Sequence, residues 1–251
     1  MTSPYYFLRD YAALAMRAYP RTMPEDEWRR AIGNAFSAQT FAGGDTQGFI
    51  CQDRGRTIVS FRGTEIGSIE DILTDVSAWP KALACRSKVH QGAYDGVGQV
   101  LKEILYHLEA RKDTPIDIIG HSLGGMKAQI LAHLLMKQGF QLGRLVTFGS
   151  PPAGNQAFSS SLCTVYRNEF IRVVRCADIV PRLKVLWAKG YRHANGLYYI
   201  DRKGRNWWAP SSNYQVFDRL TAKAKELKPL SLDLAHHDIS EYHNILSRIY
   251  S

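Results

Sequence analysis

Short apolar runs rich in β-branched residues recur along the chain, separated by stretches whose apolar positions repeat at helical spacing. Thr57-Ile58-Val59-Ser60-Phe61, Ile116-Asp117-Ile118-Ile119, Leu145-Val146-Thr147-Phe148 and Ile171-Arg172-Val173-Val174 read as strands. Helical patterns lie between several of them, at Val97–Leu108 and Met126–Lys137. Near the start, Leu8, Tyr11, Ala12 and Ala15 fall on one face of an amphipathic helix. Gly196–Trp208 reads as a hairpin with its turn at Gly204, Phe217–Lys228 as a polar helix, and a last helix begins near Asp238 with Ile239, Tyr242, Leu246 and Ile249 on one face. Strands alternating with helices predict an α/β fold: a mainly parallel central sheet with helices on both faces.

Composition narrows the classes. The 251 residues, 45% hydrophobic and 22% charged, are those of an ordinary globular protein. They fit one domain spanning residues 1–251, with no linker or repeat dividing them. No segment reaches the ~18 consecutive apolar residues of a spanning helix, so no transmembrane segment is expected. Arg9, Asp10 and Arg17 interrupt the apolar region a signal peptide needs, which makes a cytoplasmic protein the default expectation and leaderless secretion the alternative. The net charge of +9 is spread along the chain without any nucleic-acid module. No nucleic-acid partner is expected, and transient contact with a lipid interface or an anionic membrane surface is the partner reading that the charge favours. Cys51, Cys85, Cys163 and Cys176 form no CxxC pair, so no metal site is expected and the cysteines read as buried free thiols.

The stretch carrying the most chemistry is Gly120-His121-Ser122-Leu123-Gly124-Gly125. Gly-x-Ser-x-Gly between a strand and a helix is the pattern of a nucleophile elbow, in which a tight strand-to-helix turn exposes the serine hydroxyl. The amides opening the following helix can stabilise an oxyanion. A serine needs a base near neutral pH. Neighbouring side chains on a sharp elbow diverge, so His121 reads as a packed or hydrogen-bonding residue.

Four further segments join this one: Phe61-Arg62-Gly63-Thr64, Val89-His90-Gln91-Gly92-Ala93-Tyr94, Thr147-Phe148-Gly149-Ser150-Pro151-Pro152-Ala153-Gly154-Asn155, and Arg175-Cys176-Ala177-Asp178-Ile179-Val180-Pro181. In this order they resemble the fungal-type (class 3) lipase family over roughly residues 55–245. The resemblance implies the α/β-hydrolase fold. It implies Ser122 as nucleophile, Asp178 as the acid orienting the base, and His237 as the base, five residues before Tyr242; the order Ser…Asp…His is that of α/β hydrolases. His236 and His243 remain alternatives for the base, and Asp201 and Asp218 for the acid. Thr64 and Leu123 take the oxyanion-hole positions through their backbone N–H groups. His90 and His193 read as structural. A short lid helix is implied at residues 66–76, with Ile69, Ile72, Leu73 and Val76 on one face; the alternative is an ordinary packed helix.

The expected reaction is hydrolysis of carboxylic esters through an acyl-enzyme, by a triacylglycerol lipase or carboxylesterase acting on a lipid or other ester substrate, with no cofactor required. The alternatives are a phospholipase A, a non-catalytic lipid-binding relative, and transfer of the acyl group to an acceptor other than water.

Overall fold

The computed structural model describes residues 5–19, 38–64, 79–226 and 234–251. The candidate lid at 66–76, with Ile69, Ile72, Leu73 and Val76, lies outside them.

Alternation along the strands builds two cores. In β3 (Arg56–Phe61), β6 (Ile116–His121), β7 (Leu142–Phe148) and β9 (Phe170–Arg175), side chains point alternately to opposite sheet faces. Val59, Ile118, Leu145 and Phe170 enter one apolar cluster, and Ile58, Ile119, Val146 and Ile171 the other. All eight are at most 1% exposed, so both faces must be covered. Helices α2 (Gln91–Glu109), α3 (Leu123–Leu135) and α4 (Gln156–Tyr166) cover the first face. Helix α1 (Phe7–Arg17) and the C-terminal α7 (Ile239–Ile249) cover the second.

The sheet has eight strands in the order β1-β2-β3-β6-β7-β9-β11-β12, where β1 is Gln39–Gly43, β2 Thr46–Asp53, β11 Leu197–Ile200 and β12 Asn206–Trp208. β3, β6, β7, β9 and β11 run parallel, and the two ends are closed by antiparallel hairpins. A second sheet of four short strands packs beside α4: β4 (Pro80–Ala82), β5 (Lys88–His90), β8 (Gly154–Asn155) and β10 (Tyr191–Arg192). This is the expected α/β architecture. The β1–β2 hairpin and the small sheet were not anticipated, because β1 is half-exposed along most of its length and the short strands are too brief for a period to register.

Caps explain where the helices begin earlier than their apolar pattern. α2 starts at Gln91 because the His90 imidazole accepts the Ala93 N–H at 3.2 Å. Beyond the short α5 (Lys184–Ala188), helix α6 (Ser212–Glu226) starts five residues before Phe217 because Ser211 Oγ accepts the Tyr214 N–H at 3.2 Å. α1 is tied to the sheet at the amino ends of the parallel strands. There the buried Asp117 accepts the Tyr11 hydroxyl, both forks of Arg56 at 2.5 Å and the Arg144 N–H at 2.6 Å. Among the described residues no helix is long and apolar enough to cross a membrane. All four cysteines are free thiols, but only Cys51 and Cys176 are buried; Cys85 is exposed on a loop and Cys163 half-buried, which corrects the expectation that all four are interior.

Candidate active site

The strand β6 runs into helix α3 through a single residue, Ser122, whose backbone sits at φ 56° and ψ −127°. A non-glycine residue in that region is strained by about 1–3 kcal/mol and persists only when its surroundings over-determine it. Here they do. The Ser122 N–H donates to Phe148 O at 3.0 Å and its carbonyl accepts the Gly125 N–H at 2.9 Å. The turn closes only because residue 124 is glycine: a Cβ there would lie 2.5 Å from Phe61 O. Leu123 is the first residue of α3, so its N–H has no intrahelical acceptor and faces the end of the helix. The end of β3 crosses the same place. A Cβ on Gly63 would lie 3.1 Å from Ser122 Cβ, which puts the Gly63–Thr64 segment against the elbow.

The carboxyl end of β9 and the turn before the last helix bring two further residues here. Asp178 follows β9 and is fully buried. Its Oδ1 accepts the Val180 N–H at 2.9 Å, and its Oδ2 accepts the Tyr242 hydroxyl at 2.5 Å and pairs with His237 Nδ1 at 2.9 Å. Burial opposes ionisation of this carboxyl, but the adjacent His237 and the donors from His237, Tyr242 and Val180 outweigh it and hold it below the usual carboxylate range. His237 closes a four-residue 3₁₀ turn, Leu234–His237, just before α7, and is itself fully buried. Its Nε2 is buried and makes no hydrogen bond among the described residues, so no bond joins it to Ser122 in this structure.

His121 supports the arrangement from below. Its ring lies 4.5 Å from that of His237, its Nε2 bonds His237 O at 2.6 Å, and its Nδ1 pairs with the Tyr19 hydroxyl at 2.6 Å. Burial, reinforced by the neighbouring His237, pushes its pKa down to about 3.

The other candidates lie elsewhere. The His236 imidazole faces Arg175, and His243 faces Ser247 on α7. Asp201 is taken up by Arg205 and Trp207 of the β11–β12 hairpin and by Tyr214 of α6, and Asp218 by Tyr199 and Arg202. His90 caps α2, and His193 Nε2 donates to Pro181 O at 2.6 Å. Sequence reasoning used Tyr242 only as a spacing mark and did not single out Tyr19. Both act through hydroxyls that no local pattern displays.

A serine on a strained elbow, with an imidazole and carboxylate paired nearby, is the chemistry of acyl transfer. The model of the Lipase (class 3) family matches residues 58–187, more than half of the chain. The chain belongs to the class 3 lipase family. Similar proteins include the secreted mono- and diacylglycerol lipase 1 of Fusarium solani, 30% identical over 178 residues that cover 68% of this chain and 51% of that protein. The secreted mono- and diacylglycerol lipase A of Penicillium camembertii is 25% identical over 85% of this chain and 71% of its own length. Among solved structures, the triacylglyceride lipase of Rhizomucor miehei superposes with a TM-score of 0.65 at 26% identity, covering 79% of this chain and 81% of that one. A solved triacylglycerol lipase described as having a serine protease triad at its catalytic centre gives a TM-score of 0.64 at 25% identity, with the same coverage. The chain thus spans about half the length of its Fusarium solani relative. Both of these relatives are named as secreted, which overturns the expectation of a cytoplasmic protein and points to the extracellular side.

Proposed function

We propose that this class 3 lipase hydrolyses the carboxylic ester bonds of acylglycerols through an acyl-enzyme on Ser122. The observation that carries the reading is the buried 2.9 Å pair between His237 Nδ1 and Asp178 Oδ2, which leaves Nε2 of the same ring without a partner among the described residues. With Nδ1–H bonded to the carboxylate, Nε2 is the nitrogen free to accept a proton. Catalytic hydrogen bonds are often open in the absence of substrate and tighten around it. His237 would take the Ser122 proton as the hydroxyl oxygen attacks the ester carbonyl. Asp178 would hold the ring and balance its positive charge. His237 would then protonate the departing alcohol and activate the water that releases the acid. The N–H groups of Leu123 and Thr64 would receive the oxyanion, each donor contributing about 3–4 kcal/mol to transition-state binding.

Acylglycerols are the substrate class that the relatives' names support. Transient contact with a lipid interface is supported by exposed aromatic–cation pairs. Trp79, 60% exposed, carries Lys189 at 5.2 Å from its ring, and Trp187, 43% exposed, carries Arg192 at 5.4 Å. The same pairs favour, as a second reading, a phospholipase A acting on anionic membranes.

Turnover of a p-nitrophenyl ester by wild type and Ser122→Ala, with mass spectrometry after a phosphonate inhibitor, tests the assignment. Hydrolysis lost in the variant and a single adduct on Ser122 are expected; undiminished turnover in Ser122→Ala rejects it. A panel of mono-, di- and triacylglycerols against phosphatidylglycerol separates the two substrate readings.

A further inference from the structure

Three segments must keep register around Ser122: the stretch just after β3 carrying Gly63 and Thr64, the elbow itself, and the 3₁₀ turn carrying His237. One hydroxyl, that of Tyr19, sits where they meet. A Cβ on Gly63 would lie 2.4 Å from the Tyr19 oxygen and 2.4 Å from His121 O. The same oxygen is 2.6 Å from His121 Nδ1, and His121 Nε2 is 2.6 Å from His237 O.

The chemistry fixes the direction of these bonds. A main-chain carbonyl only accepts, so His121 Nε2 must carry the hydrogen. A neutral imidazole then has Nδ1 as its acceptor, so the Tyr19 hydroxyl is the donor. Burial keeps the ring neutral, with its pKa pushed to about 3. The other tautomer would set a lone pair against the His237 carbonyl at 2.6 Å.

We infer that Tyr19 is a positioning residue for the reaction proposed above: through His121 it selects the Nε2–H tautomer that ties the His237 backbone to the nucleophile elbow, while its oxygen packs against Gly63 beside the oxyanion segment. Tyr19 closes the stretch that follows α1, whose amide ladder it caps by donating its N–H to Met16 O at 3.2 Å. α1 in turn packs on α7 and is fastened to it by the Arg9 guanidinium on Tyr250 O at 3.2 Å. Tyr19, α1 and α7 all lie outside residues 58–187, the part of the chain that the family model matches. The N-terminal helix is therefore a brace for the site and not only a cover for the sheet.

Tyr19→Phe removes one oxygen and leaves the ring. With a soluble short-chain ester, kcat is expected to fall about tenfold with KM unchanged, because the loss is of alignment and not of substrate contact. In the background of His121→Phe, which has neither ring nitrogen, adding Tyr19→Phe is expected to cost little more. An unchanged kcat, or losses that add in full in the double variant, overturns the inference. ¹⁵N NMR of ring-labelled histidine tests the relay without reference to catalysis. His121 is expected as the Nε2–H tautomer from about pH 5 to 9, with the Nδ1 resonance moving in Tyr19→Phe. A protonated Nδ1, or a resonance indifferent to the substitution, overturns it. A wild type that hydrolyses no ester refutes the proposed function, and the NMR result still decides the relay.

Discussion

The Tyr242 hydroxyl and the His237 ring share a single acceptor, Asp178 Oδ2, at 2.5 and 2.9 Å. Both donors arrive from the last fifteen residues of the chain, one from the 3₁₀ turn and one a turn into α7. The Tyr242 oxygen also accepts the Arg175 N–H at 3.3 Å, so it ties the start of the Asp178 loop to the last helix. Burial, followed by the Asp178 charge and hydrogen bond, holds this phenol well above its ordinary pKa, which keeps it a donor at every working pH.

Tyr242→Phe is accordingly expected to destabilise the fold by about 2 kcal/mol, the cost of removing a hydrogen bond to a buried charge. Esterase turnover is expected to fall as well. Equilibrium unfolding in urea at pH 7 measures the first, and a midpoint equal to wild type contradicts this account of Tyr242.

Strain at Ser122 predicts a trade between stability and activity. Glycine accepts φ near 56° without penalty, at a cost in unfolded-chain entropy of about 0.5–1 kcal/mol. Relief of about 1–3 kcal/mol of strain exceeds that cost. Ser122→Gly should therefore melt a few degrees higher than wild type while losing turnover. A lower melting temperature in calorimetry would show that the elbow is not strained.

Gly149 stands at φ +56°, and a Cβ there would lie 2.6 Å from Asp178 Oδ2 and 3.0 Å from His237 Nδ1 and Cε1. An alanine pushes on both partners of the pair at once. Gly149→Ala is expected to lower kcat about a hundredfold, the scale of an ångström of misplacement. Retention of wild-type kcat in a folded variant would mean that the pair has room the structure does not show.

The acid sensitivity of the β11–β12 hairpin has a definite sign. Burial works against ionisation of Asp201, but the Arg205 N–H, the Trp207 and Tyr214 donors and the Arg205 side chain together lower its pKa to about 2. The unfolded chain titrates near 3.9, so the unfolded state binds the proton more readily. The stabilisation is complete above about pH 4 and is lost as the pH falls towards 2. Asp201→Asn should be less stable than wild type at pH 6, with the gap closing towards pH 2.5 in urea titrations. A gap that widens on acidification reverses the sign and removes the explanation.

Much of this was legible in the chain. The alternation at Ile118/Ile119 and Leu145/Val146 marked strands buried on both faces, and the glycines around Ser122 marked the turn between a strand and a helix. Both are local: they depend on residues within a few positions of one another. Which carboxylate meets which imidazole is not local. Asp178 and His237 lie 59 positions apart, and Asp178 faces the ring only because β9 ends beside β7 in the sheet order. His236 and His237 are neighbours of the same type. A single turn of 3₁₀ helix directs the first to Arg175 and buries the second completely.

Periodicity and turn chemistry report what a segment prefers to face, and by themselves they determined four of the central parallel strands, the last hairpin, most of the helices and the elbow. The meeting of Asp178, His237 and Tyr242, and the placing of the Tyr19 oxygen under Gly63 and His121, were decided only by tertiary packing. The physical reason is one of range. Hydrogen bonds reach about 3 Å, and only close packing of the layers brings side chains so distant in sequence within it.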